Sequence, residues 1–282
     1  MKKRILITAL VLCFAVVFAV LPSVSKGAVN AFLLKETAAD VADRTAGSSE
    51  PAMLQKGDYV VLGEYLGEPV LWQVLDTQGG KALLMTKYII CLKAFDAGGE
   101  CARHDGADRE KYGSSEWEGS TLQTWLNSAE QTVAYASCRP DRASLAGGYN
   151  AYDGESGFLS DKNFSPKQRE MIDERGVFLL SKSELSKYLT AAQRRKTCTA
   201  SAVRDNDAPY LLTTSQRTWY WTSSAVSSNR VSAAAVTTTG GYYKSLAYDG
   251  VTGVVPALYL SGTEILTNGG DGSEKSPYFI SR

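Results

Sequence analysis

One strongly alternating stretch, Gly57–Met85 (GDYVVLGEYLGEPVLWQVLDTQGGKALLM), limits the fold of this chain more tightly than any other. Tyr59, Val61 and Gly63 fall on one face of an extended backbone, while Val60, Leu62 and Glu64 fall on the other. Val70–Leu75 is a nearly continuous apolar run with Trp72 inside it. A two-residue repeat marks a strand with one face buried, and an unbroken apolar run marks one buried on both. Gly67-Glu68-Pro69 and Gln78-Gly79-Gly80 supply turns, because glycine tolerates the positive φ that tight hairpins need. Strands are therefore expected over 58–65, 69–76 and 81–88, joined as an antiparallel meander.

The segment 92–116 is charged and irregular. At Trp117 the pattern changes: Ser120 is placed to cap a helix whose Leu122, Trp125 and Leu126 share one apolar face. A second helix is expected behind Ser165, with Pro166 in the first turn, where its missing N–H costs nothing. Val177–Leu180 reads as a short buried strand and Ser183–Leu189 as a short helix. Trp219–Ser223 is a strand, and Arg230–Thr239 with Tyr242–Tyr248 a hairpin turning at Gly240-Gly241. Val251–Leu260 carries Pro256 near its middle, which suits an edge or a bulge. Gly269–Ile280 returns to the sheet as a closing strand. The sum is an α+β domain of twisted antiparallel sheets with two or three short helices.

Lys2, Lys3 and Arg4 precede an apolar run from Ile5 to Leu21, and small residues follow at Ser23, Ser25 and Gly27. This is the pattern of a secretory signal over residues 1–27. The run exceeds the usual core of roughly 7–15 residues and approaches the roughly 17 needed to span a bilayer, so an uncleaved N-terminal anchor is the second reading. Cys13 belongs to that apolar core. Residues 28–53, rich in Ala, Thr, Ser and Asp, read as a stalk, and residues 54–282 as a single domain. The 282-residue chain holds 30 basic and 30 acidic residues; removing residues 1–27 takes away Lys2, Lys3, Arg4 and Lys26 and leaves 26 against 30. A mildly acidic exported form is a poor match for nucleic acid, and it leaves the N-terminal segment as the only membrane contact.

Four cysteines remain after that segment, Cys91, Cys101, Cys138 and Cys198, an even number in an oxidising compartment. Three pairings are open to them. Cys91–Cys101 with Cys138–Cys198 is favoured because the first pair brackets a loop containing Gly98-Gly99; four buried free thiols are the plainer alternative. No Cys/His spacing fits zinc.

Six words recur in the order and spacing of one family: GDYV at Gly57–Val60, EPVLWQVL at Glu68–Leu75, WEGSTLQTWLN at Trp117–Asn127, FLLSKSE at Phe178–Glu184, WTSS at Trp221–Ser224 and GVVPALYL at Gly253–Leu260. In these the chain resembles the bacterial domain-of-unknown-function family 6273. The resemblance implies a C-type-lectin-like fold related to the formylglycine-generating, sulfatase-modifying domains. Two departures stand out: Val255 replaces the arginine of the family's GVRPAL, and Ser223 replaces that of its W-L-R-S.

Candidate chemistry is sparse. His104 is the only histidine, so no triad with a second histidine can be built. With Asp105, Asp108 and Glu110 it forms a charged cluster without the spacing of a calcium loop or a zinc motif, and a solvated loop is the simpler reading. No cofactor or metal is expected. The sulfatase-modifying enzymes use a reactive cysteine pair, but none of the matched words contains a cysteine, and Cys198 reads as a disulfide partner. Glu116 and Glu118 flank Trp117 on one side only, unlike the facing acids of a glycosidase.

The aromatic residues of the last third are the better clue. Trp219, Trp221, Tyr242, Tyr243 and Tyr248, with Asn229 and interleaved hydroxyls, are the candidate ligand-binding residues, although alternation sends half of each strand inward and Trp72, Trp117 and Trp125 are expected in the core. The expectation is a secreted or surface-tethered, non-catalytic binding module with a glycan or cell-envelope ligand ahead of a protein one. The alternative is an enzyme, either related to the sulfatase-modifying domains or a glycan hydrolase.

Overall fold

Two hairpins as short as backbone chemistry allows set the first sheet. A computed structural model of the protein describes residues 50–98, 111–135, 150–206, 208 and 210–280. After β1 (Glu50–Met53), strands β2 (Tyr59–Tyr65), β3 (Glu68–Gln78) and β4 (Lys81–Thr86) form the expected antiparallel meander. Gly79 and Gly80 connect the second hairpin at φ +62° and +78°, the mirror-image turn whose twist matches the flanking strands. The first hairpin turns one residue earlier than predicted, at Leu66-Gly67 (φ +51° and +78°), so Glu68 and Pro69 already belong to β3. Leu66 is the one non-glycine residue at positive φ among the described residues.

The remaining strands are β5 (Cys91–Leu92), β6 (Ile172–Phe178), β7 (Tyr220–Val226), β8 (Asn229–Val236), β9 (Tyr242–Leu246), β10 (Gly253–Val254), β11 (Ala257–Leu260), β12 (Glu264–Thr267) and β13 (Tyr278–Phe279). They make a six-stranded sheet ordered β13-β2-β3-β4-β11-β6, a five-stranded sheet ordered β5-β10-β7-β8-β9, and a ribbon of β1 with β12. Pairing is antiparallel except where β13 meets β2 and β10 meets β7. The closing segment thus returns to the sheet as expected.

Three expectations are corrected here. The stretch read as stalk ends in strand: Glu50–Met53 pairs with Glu264–Thr267, so the folded body begins before Leu54. The strand predicted at Val177 starts at Ile172, since the polar Asp173–Arg175 lie on the outermost strand of the sheet, where water covers them. The single strand predicted over Val251–Leu260 is two strands in two sheets, with Val255-Pro256 as the crossing. Lacking an N–H, Pro256 is at no disadvantage there, and its carbonyl accepts from the Thr86 amide at 2.9 Å. It does not mark an edge, because β11 lies between β4 and β6.

Five short helices complete the described fold: α1 (Thr121–Leu126), α2 (Pro166–Glu170), α3 (Lys182–Tyr188), α4 (Ala191–Arg194) and α5 (Ala200–Arg204). The first three match the sequence expectation; α4 and α5 are too short to show a periodicity. Each begins on a hydroxyl, Ser120, Ser165, Ser181, Thr190 or Thr199, that accepts from an amide of the first turn. Helices of this length hold by such caps and by packing, not by propensity.

Both sheets are covered on two faces. Along β4, Ala82 and Leu84 enter one core cluster and Leu83 and Met85 the other; along β7 and β8, Trp221, Ala233 and Ala235 enter the first and Tyr220 and Val236 the second. This is why the sequence reads as apolar runs there. Trp72 and Trp125 are fully buried, as expected, whereas Trp117 is only half-buried. The described chain is a mixed α+β fold, mostly antiparallel sheet with short helices. Residues 1–49, and with them the expected signal, lie outside the described residues, as do Cys101, Cys138, His104, Asp105, Asp108 and Glu110. No helix among the described residues is long and apolar enough to cross a membrane.

Candidate aromatic ligand site

The register of the five-stranded sheet sorts the candidate aromatic residues by face. Trp221 pairs with Ala235 and Ala235 with Tyr243, while Tyr220 pairs with Val236 and Val236 with Tyr242. Trp221 is 1 % exposed, and its indole N–H donates to the Lys93 carbonyl at 2.8 Å. It is a core ring, which corrects its place among the ligand candidates: alternation fixes which residues share a face, not which face is covered. Tyr242 ties the sheet to α3, its hydroxyl donating to the Lys182 carbonyl at 3.0 Å and lying 2.8 Å from the Ser186 hydroxyl, with the Arg194 guanidinium 5.0 Å from its ring. Asn229 closes the β7–β8 turn by accepting from the Val231 amide. Tyr248 packs against Tyr112 at 6.1 Å.

One candidate ring is exposed, Tyr243, and it has a half-buried neighbour in Trp219. Tyr243 is 60 % exposed on β9, the outer strand of its sheet, and stands edge-on to the half-buried Trp219, with centroids 5.8 Å apart and planes at 71°. The Trp219 carbonyl accepts from the Gly253 amide at 2.8 Å, which fixes the backbone beneath its ring. Thr237, the first residue after β8, places its hydroxyl 2.9 Å from that of Thr239 in the same turn. An exposed flat apolar ring suits the C–H face of a sugar or the apolar part of a peptide. Glu116 and Glu118 stay exposed on the loop before α1, where Glu118 accepts from the Gln123 side chain at 3.0 Å.

A second constellation escaped the sequence reading. Lys93 is 2 % exposed; its Nζ donates to the Ala151 carbonyl at 2.6 Å and to the Glu155 carboxylate, and lies 4.6 Å from the Trp125 ring centroid and 5.0 Å from that of Tyr152. Glu155 also accepts from the Tyr65 hydroxyl at 2.5 Å, and Tyr152 donates to the Ala94 carbonyl at 2.5 Å. A buried ammonium survives only with such an anion, and two aromatic faces add to its hold. Burial, with Cys91 and Glu155 nearby, pushes the Tyr65 phenol well above its ordinary value, so it stays a proton donor. The one sequence sign was a lone lysine inside the apolar run Ile89–Phe95.

Cys91 and Cys198 are buried free thiols, and neither expected bridge is seen. Burial pushes the Cys91 thiol up and that of Cys198 to about 12. Among the described residues, no group of three His, Cys, Asp or Glu side chains is placed to hold a metal ion.

A family model described as "Domain of unknown function (DUF6273)" matches residues 79–262. No curated protein and no solved structure matches the chain. The matched span includes Val255, which is buried in the second core cluster.

Proposed function

The chain belongs to the DUF6273 family of domains of unknown function, and from that premise we propose that it is an exported, non-catalytic binding module whose ligand rests on Trp219 and Tyr243. The observation that carries this reading is the exposure of the Tyr243 ring beside a backbone-anchored tryptophan. Trp219 is half-buried against the first core cluster, which leaves Tyr243 as the ring that stands in water and offers its face to a partner. The Thr237 and Thr239 hydroxyls, in the turn that leads into β9, favour a glycan or other cell-envelope component over a protein. The Lys-Lys-Arg head and the Ile5–Leu21 run support export. A C-type-lectin-like arrangement of the sheets is part of the same proposal, supported by the mix of antiparallel sheet and short helices.

The enzyme alternative, in the manner of the sulfatase-modifying domains, needs a thiolate. Burial holds the Cys91 and Cys198 thiols protonated near neutral pH, which weighs against it for these two residues. Titration with soluble peptidoglycan fragments and oligosaccharides tests the binding reading through tryptophan fluorescence. A saturable change that disappears in Trp219→Phe is expected. Binding of peptides alone would move the ligand class to protein, and turnover of any ligand would replace the binding reading with the enzymatic one.

A further inference from the structure

Among the described residues Lys196 is buried without an anion. It is 5 % exposed, and its Nζ donates to the Thr86 carbonyl at the end of β4 at 3.1 Å. The Thr86 hydroxyl is fully buried and has no hydrogen-bond partner. The charged groups that act on Lys196 are Lys87 and Glu274. Glu274 is already paired with Lys87 at 2.8 Å, and Lys87 also donates to the Tyr59 hydroxyl at 3.3 Å. A charged amine in such a site loses its hydration and faces a second ammonium, with its one acceptor a neutral carbonyl.

Lys196 also begins a segment that forms one wall of a cleft. The Ile89 amide donates to the Thr197 carbonyl at 2.9 Å and the Thr199 amide to the Ile89 carbonyl at 3.0 Å, while Thr197 bridges to Arg217 on the other side. Thr199 and Ser201 then line a cleft with Tyr65, Glu68, Val70 and Tyr88. Two backbone hydrogen bonds, the Thr197–Arg217 bridge and the buried side chains of Lys196, Cys198 and Ser201 hold this wall of the cleft against Ile89.

We propose that Lys196–Ser201 is a proton-controlled strap, held against Ile89 while the Lys196 amine is neutral and loosened when that amine takes up a proton, so that the cleft lined by Thr199 and Ser201 opens. The inference is independent of the aromatic ligand site. Burial, reinforced by Lys87 and opposed by Glu274, lowers Lys196 to about 7 from its ordinary value of 10.5. A strap that swings into water returns the amine to that ordinary value. Opening therefore takes up a proton between the two values. It becomes easier as pH falls from 10.5 towards 7, and levels off below 7, where both states are charged. Linkage gives an opening constant that rises about 50-fold from pH 9 to pH 7 and only about twofold from pH 7 to pH 5.

Hydrogen exchange of the full-length chain, corrected for the intrinsic pH dependence of exchange, tests this at the Ile89 and Thr199 amides. The expected result is that rise and plateau at these two positions, a flat profile at amides of the β2–β3 hairpin, and loss of the rise in Lys196→Met. Should the variant fail to fold, the 15N shift of the wild-type Lys196 amine decides, with a midpoint near 7 expected. An unchanged opening constant between pH 9 and 7, the same rise at β2–β3 amides, a variant that keeps the rise, or a Lys196 midpoint near 10.5 would each overturn the strap.

Discussion

Trp125 joins α1 to the rest of the first core: its ring lies 5.6 Å from that of Tyr65 and 5.4 Å from that of Phe158, under the Lys93 ammonium, with its N–H on the Ser156 carbonyl at 3.1 Å. Trp125→Ala is expected to cost about 3–5 kcal/mol in chemical denaturation, because the cavity sits among rings that cannot collapse into it. The ion pair beside it should respond unequally. Glu155→Gln strands a fully buried ammonium and should cost about 3–5 kcal/mol. Lys93→Met removes that charge and leaves a carboxylate with partial access to water, so it should cost less; equal losses in the two variants would contradict this placement of the pair. The burial of Trp125 was legible from its spacing with Leu122 and Leu126. The role of Lys93 was not, because its anion lies 62 residues away, and no local pattern links them. Trp221 and Trp219 show the same limit in miniature: period two puts both on one face, and only the fold decides that Phe95, 5.6 Å away, covers the first.

At the scale of elements, turns and caps were the most readable features and long-range pairings the least. Ser120 and Ser165 cap the helices expected behind them, since a hydroxyl facing a free amide is a local arrangement. Gly79-Gly80 likewise forms its turn from local backbone freedom. No local signal places a turn at Leu66-Gly67, because leucine is a poor left-handed residue and Gly67-Glu68-Pro69 is the better turn sequence; pairing of Tyr65 with Glu68 in the sheet overrides that preference. Leu66→Asn should therefore stabilise the protein by about 1 kcal/mol, read as a higher melting temperature, since asparagine adopts this conformation at less cost. A lower melting temperature would show that the 40 % exposed leucine contributes more by packing than it costs in backbone strain. Nothing local marks β1 as a strand, because Glu50–Met53 owes its extended form to β12 at the other end of the chain.

For the whole molecule, the α+β class and the central meander were visible in composition and periodicity, but the layering was not. Two core clusters lie on opposite faces of both larger sheets, and the chain passes between those sheets at Val255-Pro256. A sequence shows there only one apolar run, so a single strand was the natural expectation. The same layering gives the aromatic site its meaning. Trp221 and Tyr220 are used up in the two cores, and what the fold leaves at the outer strand is Tyr243 against Trp219. The most direct measurement is Tyr243→Ala in the full-length chain, assayed side by side for melting temperature and for capture on immobilised peptidoglycan and a glycan array. A melting temperature within about 2 °C of wild type is expected, as for an exposed substitution, with capture weakened about tenfold or more. Undiminished capture by a stably folded variant, or a melting loss as large as that of Trp125→Ala, would contradict it.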